Sequence, residues 1–271
     1  MVAAVAAGPV AGQEPPEPSR QEEYRFESTT RQTAAANYLL YLPESYDREE
    51  RLWPLLVHLH GGGGSGDDVA RLRVYPLVRR LEEERDFPFV VVSPQCPLGE
   101  VGGHGPMGDT WSEHAEMVDA LLERLLASHR MDPDRIAVIG HSMGGYGAYY
   151  LAHRYPRRFA AVVPIAAPGV TWPIAAPGVT WWTYRPRDVP YWVFHGERDE
   201  VVPIAEAEKM VAALREIGAE VRFTRYPEGG HVLREPFRDE ELFAWLLAQR
   251  REPRSEAAGA SLSQSQTSDD L

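Results

Sequence analysis

The sequence predicts an α/β fold, a mostly parallel sheet with helices on both faces. Two observations carry that expectation. Short β-branched or aromatic runs alternate along the chain with amphipathic helical stretches, the order that builds a parallel sheet. Several of the runs are apolar throughout, as strands covered on both sides are.

The strand signals come in the order "NYLLYL" (37–42), "PLLVHLH" (54–60), "FPFVVVS" (87–93), "RIAVIG" (135–140), "FAAVVPI" (159–165), "YWVFHG" (191–196) and "EVRFTRYP" (220–227). In "SEHAEMVDALLERLLASHR", Met117, Leu121 and Leu125 with Val118, Leu122 and Leu126 form one apolar helix face. Ser112 is placed to cap that helix, and Pro133 lies beyond its end. Pro203 opens a later helix whose inner side is Ile204, Ala207, Val211 and Leu214, and Gly218 closes it.

With 271 residues and 44% hydrophobic content, the chain is long enough for one large α/β domain. The ends read differently: 1–23, a short apolar run with no basic segment before it and a Pro- and Glu-rich stretch after it, reads as a disordered arm or signal-peptide remnant. The stretch 251–271, almost without apolar residues, reads as a disordered tail, leaving 24–250 as the folded domain. Cytoplasmic and exported locations both fit that start, and oligomeric state is not legible. A net charge of −12, with no basic stripe, argues against nucleic acid and anionic membrane as partners. No apolar run is long enough to span a bilayer. Cys96, the single cysteine, excludes an intrachain disulfide and reads as a small buried residue.

The stretch "RIAVIGHSMGGYGAY" (135–149) puts Ser142 in the turn between a strand and a helix, as a helix cap or as a nucleophile. A raised nucleophile also needs small residues two positions either side, and Gly140 and Gly144 supply them. Serine needs a base to take its proton and an anion to orient that base. Both should follow later strands, because ligands bind at the carboxyl ends of a parallel sheet. Asp199 follows "YWVFHG", with Glu197 and Glu200 as rivals, and His231 follows "EVRFTRYP" through Gly229 and Gly230. The order Ser142, Asp199, His231 is that of hydrolases with a nucleophile elbow. The glycine run "GGGGSG" (61–66) can supply an oxyanion donor, Gly62, to pair with the backbone N–H of Met143. It lacks the lysine of a phosphate loop. His58 and His60 share one strand face but have no third ligand at suitable spacing, so no metal site is expected, and His141 reads as packing beside the elbow.

With "LHGGGGSGDD", "VVVSPQCP", the stretch from "MDPDRIAVIGHSMGG" to "AAVVPI", "VFHGERDEVVPIAEAEKMVAALREIGAEVRFTRYPEGGH" and a terminal "FAWLL", residues 24–249 resemble the α/β-hydrolase family. Within it they are most similar to the predicted-peptidase and phospholipase/carboxylesterase-like branch, related to polyhydroxybutyrate depolymerases and feruloyl esterases. The resemblance implies an eight-stranded, mainly parallel sheet and cofactor-free serine esterase chemistry on small or polymeric esters, with the roles of Ser142, Asp199 and His231 given above. A peptidase or acyltransferase on the same triad, or a catalytically idle binding fold, are the alternatives. One departure from the pattern stands out: "PIAAPGVTW" occupies 164–172 and again 173–181. In hydrolases that region commonly carries lid material, so Trp172, Trp181 and Trp182 either wall a pocket or cover a core edge.

Overall fold

The computed structural model describes residues 21–27, 35–97, 111–155, 157–169 and 186–251. The apolar runs become strands β2 (Ala35–Tyr41), β3 (Trp53–Leu59), β4 (Val90–Pro94), β5 (Met131–His141), β6 (Ala161–Ile165), β7 (Tyr191–Gly196) and β8 (Val221–Tyr226). One strand precedes them, β1 (Gln21–Glu27), which pairs antiparallel with β2. Only its Gln21 and Phe26 are buried, so it carries almost no apolar signal. The first strand among the described residues therefore starts at Gln21, ahead of the expected boundary at 24. Among the described residues the strands form one eight-stranded sheet in the order β1-β2-β4-β3-β5-β6-β7-β8, parallel from β4 to β8 and antiparallel at the β1–β2–β4 edge. The α/β-hydrolase fold class and the mainly parallel eight-stranded sheet hold.

Alternation along the strands divides the core in two. Leu55, Val57, Val92, Ile136 and Val138 face helices α2 (Ala115–Ser128), α3 (Met143–Arg154) and α4 (Ile204–Glu216). Their neighbours Leu56, Val91, Ala137, Ile139 and Val163 face α1 (Pro76–Glu83) and α5 (Glu240–Ala248). Both faces of the central strands are thus removed from water, as their unbroken apolar runs require. No helix among the described residues is long and apolar enough to cross a membrane.

Two local expectations change. Ser112 does not cap α2, which begins after His114. Just before it, the buried Trp111 donates its indole N–H to the His60 carbonyl and anchors the chain, and the helix starts only beyond that anchor. At the other end, Arg251 belongs to the folded region, not to a tail beginning at 251. Its guanidinium bonds the Asp134 carboxylate at 2.6 Å and its backbone N–H bonds the Asp134 carbonyl at 2.8 Å. Arg250 reaches Asp132 at 2.6 Å, so the end of the described chain is clamped to the start of β5. The first copy of the nine-residue repeat supplies the end of β6, whereas residues 170–181, and so the whole second copy, lie outside the described residues.

Leu56, fully buried in the middle of β3, tests the core. Leu56→Ala is expected to lower unfolding free energy by about 2–5 kcal/mol, read as a drop in urea midpoint with an unchanged slope.

Candidate active site

The end of β5 and the start of α3 make a turn too sharp for ordinary residues. Ser142 between them has φ 56° and ψ −119°, a left-handed conformation that L-residues rarely adopt. A Cβ on Gly140 would lie 2.1 Å from the Gly144 carbonyl oxygen, and one on Gly144 would lie 2.0 Å from the Leu59 carbonyl oxygen. Both obstacles are backbone, so only glycine lets α3 approach β5 and β3 closely enough to form the turn. The Ser142 hydroxyl caps nothing; its N–H bonds the Ile165 carbonyl at 2.8 Å, tying the turn to β6.

The loops after β7 and β8 close on this serine. His231 Nε2 lies 2.9 Å from Ser142 Oγ, and His231 Nδ1 lies 2.9 Å from Asp199 Oδ2. Because a carboxylate only accepts, Nδ1 carries the ring proton and Nε2 is left to accept from the hydroxyl. Asp199 is buried, and its Oδ1 takes the backbone N–H groups of Val201 (2.9 Å) and Val202 (2.8 Å). Its rivals Glu197 and Glu200 are exposed, Glu197 facing Arg225 at 3.8 Å. A Cβ on Gly196 would sit 2.3 Å from the Gly229 carbonyl oxygen, so it is backbone-to-backbone contact that sets the acid loop against the histidine loop. The Gly230 carbonyl oxygen shares that contact, 2.5 Å from the same Cβ position.

Histidines organise the floor. His60 Nε2 accepts the Cys96 N–H at 2.9 Å, so Nδ1 holds the proton and donates to the Gly61 carbonyl at 2.6 Å. The same carbonyl accepts the Tyr75 hydroxyl at 2.9 Å, which holds the glycine run as a short 3-10 turn over Gly62–Gly64. His58 Nδ1 pairs with Ser93 Oγ at 3.1 Å. Burial pushes the His60 pKa down to about 4 and that of His58 to about 3, the latter helped by neighbouring His60 and His141. His141 is more than packing: its Nε2–H donates to the backbone carbonyl of His231 at 2.7 Å, and burial lowers its pKa despite that bond. Sequence reasoning missed this role because the partner lies 90 residues away.

A cleft of about 340 Å³ opens over Ser142 and His231. Gly61, Gly62 and Gly63 line it, and nothing among the described residues lies within 4 Å of where a Gly62 Cβ would stand. Met143 heads α3, where the first N–H groups have no partner within the helix. Val74 and Val232, 61% and 67% exposed, add apolar surface to the lining.

This strand order and elbow define the chain as an α/β-hydrolase-fold protein. Residues 107–237 match the phospholipase/carboxylesterase family. The chain is 27% identical over 167 residues to a probable feruloyl esterase C of Aspergillus terreus and 24% identical over 211 residues to an uncharacterized peptidase of Bacillus subtilis. These alignments cover 62% and 68% of this chain but only 56% and 32% of the relatives' lengths. A thermostable esterase of known structure superposes with a TM-score of 0.65 at 27% identity, covering 86% of this chain and 64% of that one. The resemblance to α/β-hydrolase esterases read from the sequence stands.

Two outcomes follow from this geometry. Gly144→Ala must displace backbone, so it is expected to abolish or sharply lower soluble, cooperatively melting protein in a circular-dichroism thermal scan. His58 and His60 bind protons in the unfolded chain near pH 6.5 but resist them in the fold until about pH 3 and pH 4. Stability is therefore full above about pH 6.5 and is lost as pH falls from there, towards 4 for His60 and towards 3 for His58, by up to a few kcal/mol for each ring at about 1.4 kcal/mol per pH unit. A urea midpoint that stays flat across that interval would contradict the assignment.

Proposed function

We propose that this chain hydrolyses carboxylic esters through an acyl-enzyme on Ser142. One observation carries the reading: 2.9 Å contacts run unbroken from Ser142 Oγ through the His231 ring to Asp199 Oδ2, at the floor of an open cleft. His231 Nε2 takes the hydroxyl proton while Oγ attacks the ester carbonyl carbon. Asp199 holds the ring's tautomer and stabilises its cation. The developing oxyanion accepts from the N–H groups of Gly62 and Met143. Collapse of the tetrahedral species breaks the bond to the alcohol oxygen, which leaves with the proton from His231. Water, deprotonated by the same nitrogen, then cleaves the acyl-serine, releasing the acid and restoring Ser142.

Esters, small or polymeric, with apolar acyl or alcohol groups suit the valines beside the cleft, and the esterase names of the Aspergillus relative and of the superposed structure support that class. Peptide cleavage on the same residues is a second reading, favoured by the peptidase name of the Bacillus relative. Turnover of a p-nitrophenyl ester against the p-nitroanilide of the same acyl group separates the two: the ester reading expects turnover of the ester alone.

Ser142→Ala is expected to fold normally and to lose about 10⁴-fold or more in kcat on the ester, and Asp199→Asn about 10³- to 10⁴-fold. If Ser142→Ala kept more than about a hundredth of the wild-type rate, Ser142 would not be the nucleophile.

A further inference from the structure

Asp199 meets a second imidazole. His195, in β7, places Nε2 3.3 Å from Asp199 Oδ2 and 2.8 Å from the Val202 carbonyl oxygen. Both neighbours only accept, so Nε2 carries the proton; it donates to the Val202 carbonyl, and the Asp199 carboxylate stands beside it at 3.3 Å without completing a hydrogen bond. The side chains of His195 and Asp199 are both 0% exposed. His195 Nδ1, by contrast, is buried with no hydrogen-bond partner among the described residues. A packed core would fill such a position with a hydrocarbon, avoiding an unmet ring nitrogen, unless the other nitrogen did something a hydrocarbon cannot. Val202 closes the arrangement, since its N–H holds Oδ1 of the same carboxylate whose Oδ2 its carbonyl partner approaches.

We infer that His195 is a positioning residue: its Nε2–H holds the Val202 carbonyl, and with it the turn whose Val201 and Val202 N–H groups grip Asp199 Oδ1, so that Oδ2 faces His231 Nδ1 and fixes that ring's orientation towards Ser142. It touches no substrate and acts only through Asp199. The inference rests on the proposed triad.

The test compares wild type with His195→Gln, His195→Asn and His195→Leu, measuring kcat and KM on a short-chain p-nitrophenyl ester. A glutamine amide nitrogen reaches the place of Nε2, whereas that of asparagine stops short. His195→Gln is expected to keep kcat within about three-fold. His195→Asn and His195→Leu should lose on the order of ten- to a hundred-fold in kcat, the cost of leaving the buried Val202 carbonyl without its donor, with KM changed by less than about two-fold. The far-downfield proton resonance of His231 Nδ1–H should persist in the Gln variant and shift or vanish in the Asn variant. Should His195→Leu fail to fold, the Gln and Asn pair decides alone. Equal kcat and equal resonances for that pair would overturn the inference. Wild type without ester turnover would overturn the proposed function and this inference with it; wild-type turnover abolished by Ser142→Ala but indifferent to His195→Asn would overturn this inference only.

Discussion

The close passage of α3 over the ends of β5 and β3 is the constraint on which the site depends. With no side chain at Gly140 or Gly144, the helix start packs carbonyl to Cα against Leu59 and against its own strand. That leaves Ser142 no ordinary backbone conformation and lifts its hydroxyl clear of the sheet. The strained φ persists because the surroundings over-determine it: the Ser142 N–H is bound to β6, and its carbonyl accepts the Tyr146 N–H at 3.0 Å as α3 begins. The same passage puts the N-terminus of α3 next to the glycine run that follows β3, where a Gly61 Cβ would stand 3.6 Å from Ser142 Cβ. Serine, helix start and glycine turn are thus set by a single packing event.

The second half of the site is built by the same means at the sheet's other end. β7 and β8 pair in parallel register through Gly196 and Tyr226, and the loops that follow them exchange backbone bonds: Glu197 N–H to the Tyr226 carbonyl, and Arg198 N–H to the Gly229 carbonyl, both at 2.9 Å. Asp199 and His231 therefore do not depend on flexible side chains to find each other. Each sits at the end of a strand whose neighbour carries the other, and the loops are laced before the side chains meet.

Much of this was legible because it is local. The seven apolar runs, the glycines around Ser142 and the positions of Asp199 and His231 just after strands are all signals within a few residues. What escaped the sequence is non-local or weak. β1 buries two residues of seven and reads as polar chain. The choice of Asp199 over Glu197 and Glu200 turns on which carboxylate points inward, and the three lie within four positions. The contacts of His141 with the His231 carbonyl and of Trp111 with the His60 carbonyl link residues 90 and 51 apart, which no pattern along the chain encodes.

The histidines around the site also explain one another chemically. A neutral imidazole offers one donor and one acceptor at fixed angles, which is how His60 joins Cys96 to Gly61. A lysine or arginine could hold a carbonyl as well, but would bring a permanent charge. The His141 and His231 rings are 5.0 Å apart, and two unit charges at that separation repel by about 3 kcal/mol at an effective dielectric constant of about 20. In the proposed reaction His231 must itself become a cation. Burial that keeps His141, His60 and His58 neutral therefore lets the fold grip the loops of the site through hydrogen bonds without opposing the charge that the chemistry creates.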